Sequence, residues 1–395
     1  MKLKSLRLYN FRNHSSLTLE MDSAKVLIYG PNGMGKTNVL EAIYFLTTGR
    51  SFRTHRVGEM MAWSQPEMSV EGHFHREEGG TTRLMVQVTP KGRVPYLDGQ
   101  PAPSWAEYAG RTAVFSFTPW DGWLIKGGGA ERRPFLDRAV FSFDSRHWER
   151  IERFSRILAH RTALLKQSPM GGSATDSLQA WDPPFAEAAV EVDMARRLFL
   201  AQILPYYDEW CLKLLGRPGG VGLGYRSDMP VPEGAREMAP ENPSYMEGDM
   251  RFFNPFLDSS AWNAAERVQR LIKRLGALRK EEIHRGQCLV GPHRDDLLFF
   301  LDGHEMRPFA SQGQIRVALL AFRLAQIDLQ RRSGRGWPLL LLDDVFSELD
   351  PERCRALFLA LEELPVQTFI TSTQDRPETL DSAGLKKLAL GADPS

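Results

Sequence analysis

The sequence lacks the features that mark secreted, disulfide-stabilised or membrane-spanning proteins. Its 395 residues include three cysteines, Cys211, Cys288 and Cys354, which form no CxxC pair. An odd, scattered set of this kind excludes a disulfide framework and favours a reducing compartment. The opening stretch MKLKSLRLYN contains no apolar leader, and the sequence has no run of about eighteen apolar residues. We therefore expect a cytoplasmic protein that does not cross a membrane.

Net charge is also nearly absent, since the formal charge is +1. The overall balance therefore indicates no class of charged partner, and only the local distribution of charge carries information. Hydrophobic residues make up 42% of the chain, which is enough for a large core. The length suggests two or three domain-sized units.

The order of strand and helix signals predicts an α/β protein that is split by a helical insertion. HSSLTLEM alternates apolar and polar residues, KVLIYG is a continuous apolar run, and NVLEAIYFL has helical spacing. Helical periodicity dominates from Glu131 onward, and strand signals return after Gly286. We expect residues 1–130 and 286–395 to form one body and residues 131–285 to form a compact helical lobe. Residues 228–250, rich in Pro, Glu and Met, predict a solvated loop.

The stretch GPNGMGKT fits the phosphate-loop pattern G-x-x-x-x-G-K-[ST] between a predicted strand and a predicted helix. Glycines let successive backbone N–H groups turn inward, and the helix start adds positive potential for a polyphosphate. Lys36 would reach the β- and γ-phosphates, and Thr37 would ligate Mg²⁺. The residues assigned to nucleotide binding are Gly30, Pro31, Asn32, Gly33, Met34, Gly35, Lys36, Thr37 and Asn38.

Two adjacent carboxylates follow the apolar run in PLLLLDDVFSELD. Ligand sites of open α/β sheets lie at the carboxyl ends of strands. We therefore predict that Asp343 serves the Mg²⁺ ion and that Asp344 polarises the attacking water. An acidic strand end with no ligand is the alternative interpretation.

A third polar stretch, Ser311-Gln312-Gly313-Gln314, stands directly before a long apolar helix. Unpaired N–H groups at a helix start attract anions, and a glycine permits close backbone approach. These four residues are therefore candidates for nucleotide binding. The alternative is that Ser311 only caps the helix, which serine does well.

Taken together, these stretches resemble the ABC-type ATPases. SQGQ resembles their signature sequence, which contacts the γ-phosphate bound to the opposite subunit, and SELD resembles their D-loop. Ser311 follows Lys36 by about 275 residues. Transporter subunits place these motifs much closer together, whereas the SMC and Rad50-like proteins separate them by long heptad coils that are missing here.

The chain is similar over nearly its whole length to the RecF family of bacterial DNA replication and repair proteins. The resemblance rests on LRLYNFRNH, GPNGMGKTNVLEAIYFL, GRSFRT, RRPFLDR, RILAHRTALLK, GPHRDDL, SQGQIR and LLDDVFSELD, in that order. The chain differs from most ABC ATPases in the stretch FITSTQD, because no histidine follows its last core strand.

The resemblance implies an ABC-type P-loop ATPase head with ATP and Mg²⁺ as cofactors and with Lys36 and Asp344 in catalysis. It implies an ATP-dependent homodimer that hydrolyses ATP slowly, acts at gapped DNA and works with RecR and RecO to promote RecA assembly. The alternatives are another ABC-type regulator and an ATP-binding paralogue with negligible turnover.

Basic residues suggest where DNA binds. AERVQRLIKRLGALRKEEIHR carries seven Lys and Arg residues, and Arg267, Arg270 and Arg274 recur at spacings of three and four. Such residues share one helix face, so they predict a cationic stripe; an ordinary solvated face is the alternative. His293 and Arg294 of GPHRDD are candidates for phosphate contacts, although Asp295 and Asp296 favour a structural role between the lobes.

Overall fold

A computed structural model of the chain describes residues 1–76, 79–109, 111–167, 173–216, 221–230, 263–334, 336–347, 349–373 and 385–391. The chain forms two compact units. Unit 1 comprises Met1–Asp121 and Leu319–Ser395, and unit 2 comprises Gly122–Ala318. Most of the loop predicted at 228–250 lies outside the described residues.

Strands predominate in unit 1, with helices between them, and helices predominate in unit 2. In chain order, the strands are β1 (Lys2–Phe11), β2 (His14–Glu20), β3 (Lys25–Tyr29), β4 (Met68–His75), β5 (Thr81–Thr89), β6 (Gly92–Leu97), β7 (Gln100–Pro101), β8 (Val114–Phe117), β9 (Val221–Arg226), β10 (Asp296–Leu301), β11 (His304–Glu305), β12 (Leu339–Leu342), β13 (Gln367–Ser372) and β14 (Leu385–Ala389). The helices are α1 (Lys36–Thr48), α2 (Trp105–Ala109), α3 (Gly122–Lys126), α4 (Gly129–Phe143), α5 (His147–Gln167), α6 (Ser173–Leu215), α7 (Ala264–Arg285), α8 (Met306–Phe309), α9 (Gln312–Arg332) and α10 (Pro351–Glu363).

A parallel sheet in unit 1 has the strand order β14-β3-β13-β12-β8. All four leucines of β12 are buried, as are Val26, Leu27 and Ile28 of β3. Such continuous apolar runs are typical of parallel strands that are covered on both faces. The carboxyl ends of β3, β12 and β13 therefore lie side by side, and the candidate site is at this edge.

An antiparallel sheet with the order β2-β1-β4-β5-β6-β7 forms the other layer of unit 1. Strand β5 alternates between buried and more exposed residues, so one of its faces points into the core. Helix α1 contacts β4 and β5 of this sheet and β8 and β13 of the parallel sheet. Its buried residues join both sheets in one core, and this packing fixes the start of α1 beside the strand ends.

Unit 2 is built from helices α3 to α8, the first turns of α9 and a small sheet of order β11-β10-β9. Helices α5, α6 and α7 share a core that also includes Cys288 and Val290. The predicted boundary at residue 286 differs from this division, because residues 286–318 belong to unit 2. The reason is the pairing of β10 with β9, which joins the stretch after α7 to the helical unit.

The three cysteines are free and buried. Among the described residues, no helix combines the length and the apolar character needed to cross a membrane.

Candidate functional site

The phosphate loop follows β3 and ends at the first residue of α1. Gly30, Gly33 and Gly35 all have positive φ angles, of 151°, 86° and 87°, which residues with a Cβ atom rarely adopt. A Cβ at Gly30 would collide with the carbonyl oxygen of Leu390, and one at Gly35 would collide with the His14 ring. Glycine is therefore required at both positions by backbone geometry, and at Gly30 also by the nearby backbone of Leu390.

Lys36 folds back over this loop. Its Nζ donates hydrogen bonds to the carbonyl oxygens of Gly30 at 2.7 Å and Pro31 at 2.9 Å. Partial burial lowers the pKa of Lys36, while the nearby carboxylates of Asp344 and Asp343 oppose the shift. The ammonium group of Lys36 is thus held at the phosphate loop, where it can pair with an anion.

Thr37 and Asp343 come together although they are far apart in sequence. The Thr37 hydroxyl lies 2.9 and 3.0 Å from the two carboxylate oxygens of Asp343. Burial raises the pKa of Asp343, and hydrogen bonds from Thr371 and Thr37 oppose that shift. The structure therefore joins the predicted phosphate loop and the predicted carboxylate strand at one point.

Thr371, at the end of β13, positions both carboxylate residues. Its hydroxyl donates to Asp343 at 2.7 Å and accepts from the backbone N–H of Asp344 at 2.9 Å. Asp344 has a φ of 49°, a left-handed conformation that is uncommon outside glycine and that often marks a functional position. Thr371 lies in FITSTQD, from which the sequence indicated only the missing histidine, so this role was missed.

A cluster around Glu41 was also missed. Glu41 is fully buried one helical turn after Thr37 and accepts two hydrogen bonds from Arg12, at 2.5 and 2.8 Å. Ser51 donates to the same carboxylate at 2.5 Å, and Arg53 lies 3.5 Å from it. Arg53 also donates to the side chain of Asn38 at 2.8 Å. The stretches RNH and GRSFR thus meet at the carboxylate of Glu41, one helical turn after the end of the phosphate loop.

Replacement of Glu41 by alanine is expected to destabilise unit 1 by about 2–3 kcal/mol. The change leaves two arginines without their buried partner, but both are partly exposed and can regain water, which limits the cost. Chemical denaturation followed by tryptophan fluorescence measures the effect. Glu59→Gln, at a half-exposed carboxylate of the same region, is the control and should change the free energy of unfolding by less than about 0.5 kcal/mol. Equal effects of the two changes would contradict the role of Glu41.

Ser311 lies directly before α9 and belongs to unit 2. Its hydroxyl accepts a hydrogen bond from the backbone N–H of Gln314 at 3.3 Å, and the Gln314 side chain accepts one from the N–H of Ser311 at 2.8 Å. This is a reciprocal capping box, so the helix-cap interpretation describes a real contact. Ser311 and Gln312 are nevertheless exposed, and the hydroxyl proton of Ser311 remains available for another acceptor.

The stretch SELD begins at Ser347, the last residue of a short 3₁₀ turn, Val345–Ser347, that comes after β12 and the two carboxylates. Asp350 caps α10 by accepting a hydrogen bond from the backbone N–H of Arg353 at 2.9 Å. Glu348 lies outside the described residues. In this stretch the structure therefore shows a helix cap at Asp350.

The proposed cationic stripe on α7 is corrected by the burial of its first member. Arg267 is 1% exposed and pairs with the buried carboxylate of Asp193. Arg270 pairs with Glu266 on its own helix, whereas Lys273 is exposed. Equal spacing along a helix could not distinguish a buried arginine from a solvated one, so Arg267 is structural.

The GPHRDD stretch is an internal support of unit 2. Asp296 accepts two hydrogen bonds from Arg132, at 2.7 and 2.8 Å, and Asp295 lies 3.3 Å from Arg196. Burial lowers the pKa of His293 to about 4, so this ring is neutral at neutral pH and is a poor phosphate ligand. Asp295 and Asp296 therefore have a structural role, but these contacts lie within unit 2, whereas the sequence favoured a role between the lobes.

The fold and the site define an ABC-type P-loop ATPase head, as the sequence predicted. The family model described as "RecF/RecN/SMC N terminal domain" matches residues 2–385. The chain is 32% identical to the DNA replication and repair protein RecF of Geobacter metallireducens, over 98% of this chain and 96% of that protein. It is 36% identical to RecF of Anaeromyxobacter, over 95% and 93% of the two chains. The chain belongs to the RecF family of DNA replication and repair proteins.

Solved structures agree with this assignment. The chain matches the structure of the recombination mediator protein RecF with ATP with a TM-score of 0.80 and 26% identity, over 98% of this chain and 95% of that one. The Smc head bound to the C-terminal winged-helix domain of ScpA matches with a TM-score of 0.51 and 16% identity, over 95% and 90% of the two chains. That second likeness shows the fold alone.

Proposed function

We propose that this chain binds ATP in unit 1 and uses it to close a homodimer on DNA. The backbone of the phosphate loop and Lys36 hold the triphosphate, and Asp344 polarises the water that attacks the γ-phosphate. The observation that carries the proposal is the contact of Thr37 with Asp343, because it joins the two halves of a nucleotide site from distant parts of the chain. The related RecF structure with ATP supports the choice of nucleotide.

Magnesium fits the oxygen atoms that meet at this point. A hydroxyl and a carboxylate are suitable ligands for a hard cation, which in such sites is completed by water and by substrate phosphates. No group of three or more His, Cys, Asp or Glu side chains suited to hold a metal occurs in the described part of the chain, which is consistent with an ion that arrives with the nucleotide. Bound there, Mg²⁺ would neutralise charge on the β- and γ-phosphates.

The second half of the nucleotide site comes from the other subunit in this proposal. Residues Ser311, Gln312, Gly313 and Gln314 belong to unit 2, whereas the phosphate loop belongs to unit 1. An exposed helix start with a hydroxyl and a glycine suits the γ-phosphate of a second copy. ATP thereby links two chains, and hydrolysis releases them.

We further propose that the dimer acts at gapped DNA with RecR and RecO to promote RecA assembly. The support is the family and the related structure, whose protein is described as a recombination mediator of the RecFOR pathway. Slow hydrolysis would let the dimer persist on DNA, and contacts to phosphates would make binding structure-selective rather than sequence-specific.

Binding of the protein to a gapped duplex is expected to require ATP and to weaken steadily with salt. Phosphate contacts release counterions, so the logarithm of the binding constant should fall linearly with the logarithm of salt concentration. Fluorescence anisotropy of a labelled gapped duplex, with and without ATP, measures both effects.

Lys36→Ala is the matched variant for this experiment and is expected to bind ATP about 10- to 100-fold more weakly, because it loses a charged hydrogen-bond donor. Lys213→Ala removes an exposed lysine that pairs with Glu209 at the end of α6 and should behave as wild type. Equal DNA binding with and without ATP would overturn the proposed switch.

A further inference from the structure

Two aromatic side chains of unit 2 are exposed beside the signature stretch. Phe309, at the end of α8, is 79% exposed, and Trp123, in α3, is 68% exposed. The two short helices contact one another, and the Nζ of Lys126 joins them by donating to the carbonyl oxygens of Arg307 at 3.1 Å and Ala310 at 3.0 Å. Phe309 is therefore carried on fixed backbone directly before Ser311, and Trp123 lies on the helix that contacts α8.

A groove of about 420 Å³ is lined by Phe309, whereas Trp123 is not part of its lining. Its walls include Asp302, Glu305, Met306, Phe309 and Gln314. Gln314 is the residue that caps Ser311, so the groove and the signature stretch share a wall. Carboxylates together with an exposed aromatic ring form a surface that suits arginine, through ion pairs and through cation–π contact.

Unit 1 carries a basic segment beside its phosphate loop. Residues 50–56 include exposed Arg50, Arg53, His55 and Arg56. Arg53 donates to Asn38, the residue after Thr37. The Arg56 side chain is 86% exposed, with Glu59 at 3.7 Å.

We infer that the groove lined by Phe309, with Trp123 on the neighbouring helix α3, receives residues 50–56 of a second copy of this chain in the ATP-bound dimer. The inference rests on the proposed function, in which Ser311 meets the triphosphate held by the phosphate loop of the other copy. Phe309 is two residues from Ser311, and Arg53 touches the residue next to Thr37, so one shared phosphate brings both surfaces together. The groove lining carries the carboxylates of Asp302 and Glu305, and exposed Arg307 is not part of that lining, whereas residues 50–56 carry three arginines and no acidic residue. Aromatic side chains next to arginines are typical of the energetic centre of an interface.

Charge exchange tests this docking. Glu305→Lys and Arg56→Glu should each weaken ATP-dependent dimerisation about tenfold, whereas the combined variant should recover most of the loss, because each interface then regains an opposite pair. Phe309→Ala should weaken dimerisation by a similar factor, and Trp148→Ala, at a half-exposed aromatic of α5, is the control. Sedimentation velocity with a slowly hydrolysed ATP analogue measures the dimer.

Binding of a fluorescent ATP analogue should remain within about twofold of wild type in all these variants, since the phosphate loop is untouched. If the wild-type chain dimerises with the analogue and Glu305→Lys, Arg56→Glu and Phe309→Ala dimerise equally well, the docking is wrong and the ATP-driven dimer stands. If the wild-type chain binds the analogue but stays monomeric, both the docking and the proposed dimer are wrong.

Discussion

Replacement of Ser311 by arginine is expected to abolish ATP-dependent dimerisation while leaving ATP binding by the monomer intact. The phosphate loop, Lys36 and Asp343 lie in unit 1, whereas Ser311 lies in unit 2. A long side chain at the exposed helix start would hold a partner's triphosphate away from the backbone N–H groups that are proposed to bind it. Light scattering with and without ATP measures dimerisation, and titration with a fluorescent ATP analogue measures binding.

Arginine also removes the capping hydroxyl, so the test needs variants that keep the cap. Asparagine and aspartate cap helices about as well as serine. Ser311→Asp places a negative charge where the γ-phosphate of the partner is expected, and should weaken dimerisation at least tenfold relative to Ser311→Asn, which has nearly the same shape. The same dimerisation constant for these two variants would show that no phosphate approaches Ser311.

The contacts that form the proposed nucleotide half-site of unit 1 were predictable because their sequence signals are local. Gly30 to Thr37 form a continuous pattern between a strand and a helix, and the carboxylates follow an uninterrupted apolar strand. The sheet order then brings Thr37 to Asp343, because β3, β13 and β12 are parallel neighbours whose carboxyl ends coincide.

The residues that support this half-site were not predictable in the same way. Arg12 reaches Glu41 from the turn after β1, Ser51 and Arg53 reach it from the loop after α1, and Thr371 reaches Asp343 from another strand. No spacing rule relates such positions, since their contacts depend on how the two sheets pack on α1. For Arg12, Ser51 and Arg53, the only sequence signal was that RNH and GRSFRT lie in stretches that resemble the family.

Unit 2 shows how tertiary contacts override local signals. Helix α6 begins at Ser173 and continues through Pro183 and Pro184, although prolines normally interrupt a helix. Asp182, just before them, is buried and pairs with Arg161 and Arg279, which holds this turn in place. Strand β9, VGLGYR, contains two glycines that weaken its strand signal, and it is formed by pairing with β10.

Replacement of Asp193 by asparagine is expected to destabilise unit 2 by about 3–5 kcal/mol. Asp193 is fully buried and is paired with Arg197 at 2.8 Å and with Arg267, which are themselves 3% and 1% exposed. Removing the carboxylate would take away the negative charge that these two buried guanidinium groups share, which costs far more than loss of a surface pair. Thermal and chemical unfolding measure the change. Glu187→Gln, at an exposed carboxylate that pairs with Arg153, is the control and should have an effect below about 0.5 kcal/mol.

The same cluster gives a distinct pH dependence. Burial alone would raise the pKa of Asp193, but Arg197 and Arg267 outweigh it and hold the pKa below its usual value. A depressed folded-state pKa means that this contribution is present above the unfolded-state value and is lost as pH falls through the folded-state value. The wild-type chain should therefore lose its stability advantage over Asp193→Asn on acidification.

Arg267→Met should resemble Asp193→Asn in stability, whereas Lys273→Met, at an exposed position of α7, should keep wild-type stability. A stable Arg267→Met protein with a smaller salt dependence of DNA binding would restore Arg267 to the DNA interface and contradict its assignment to the core.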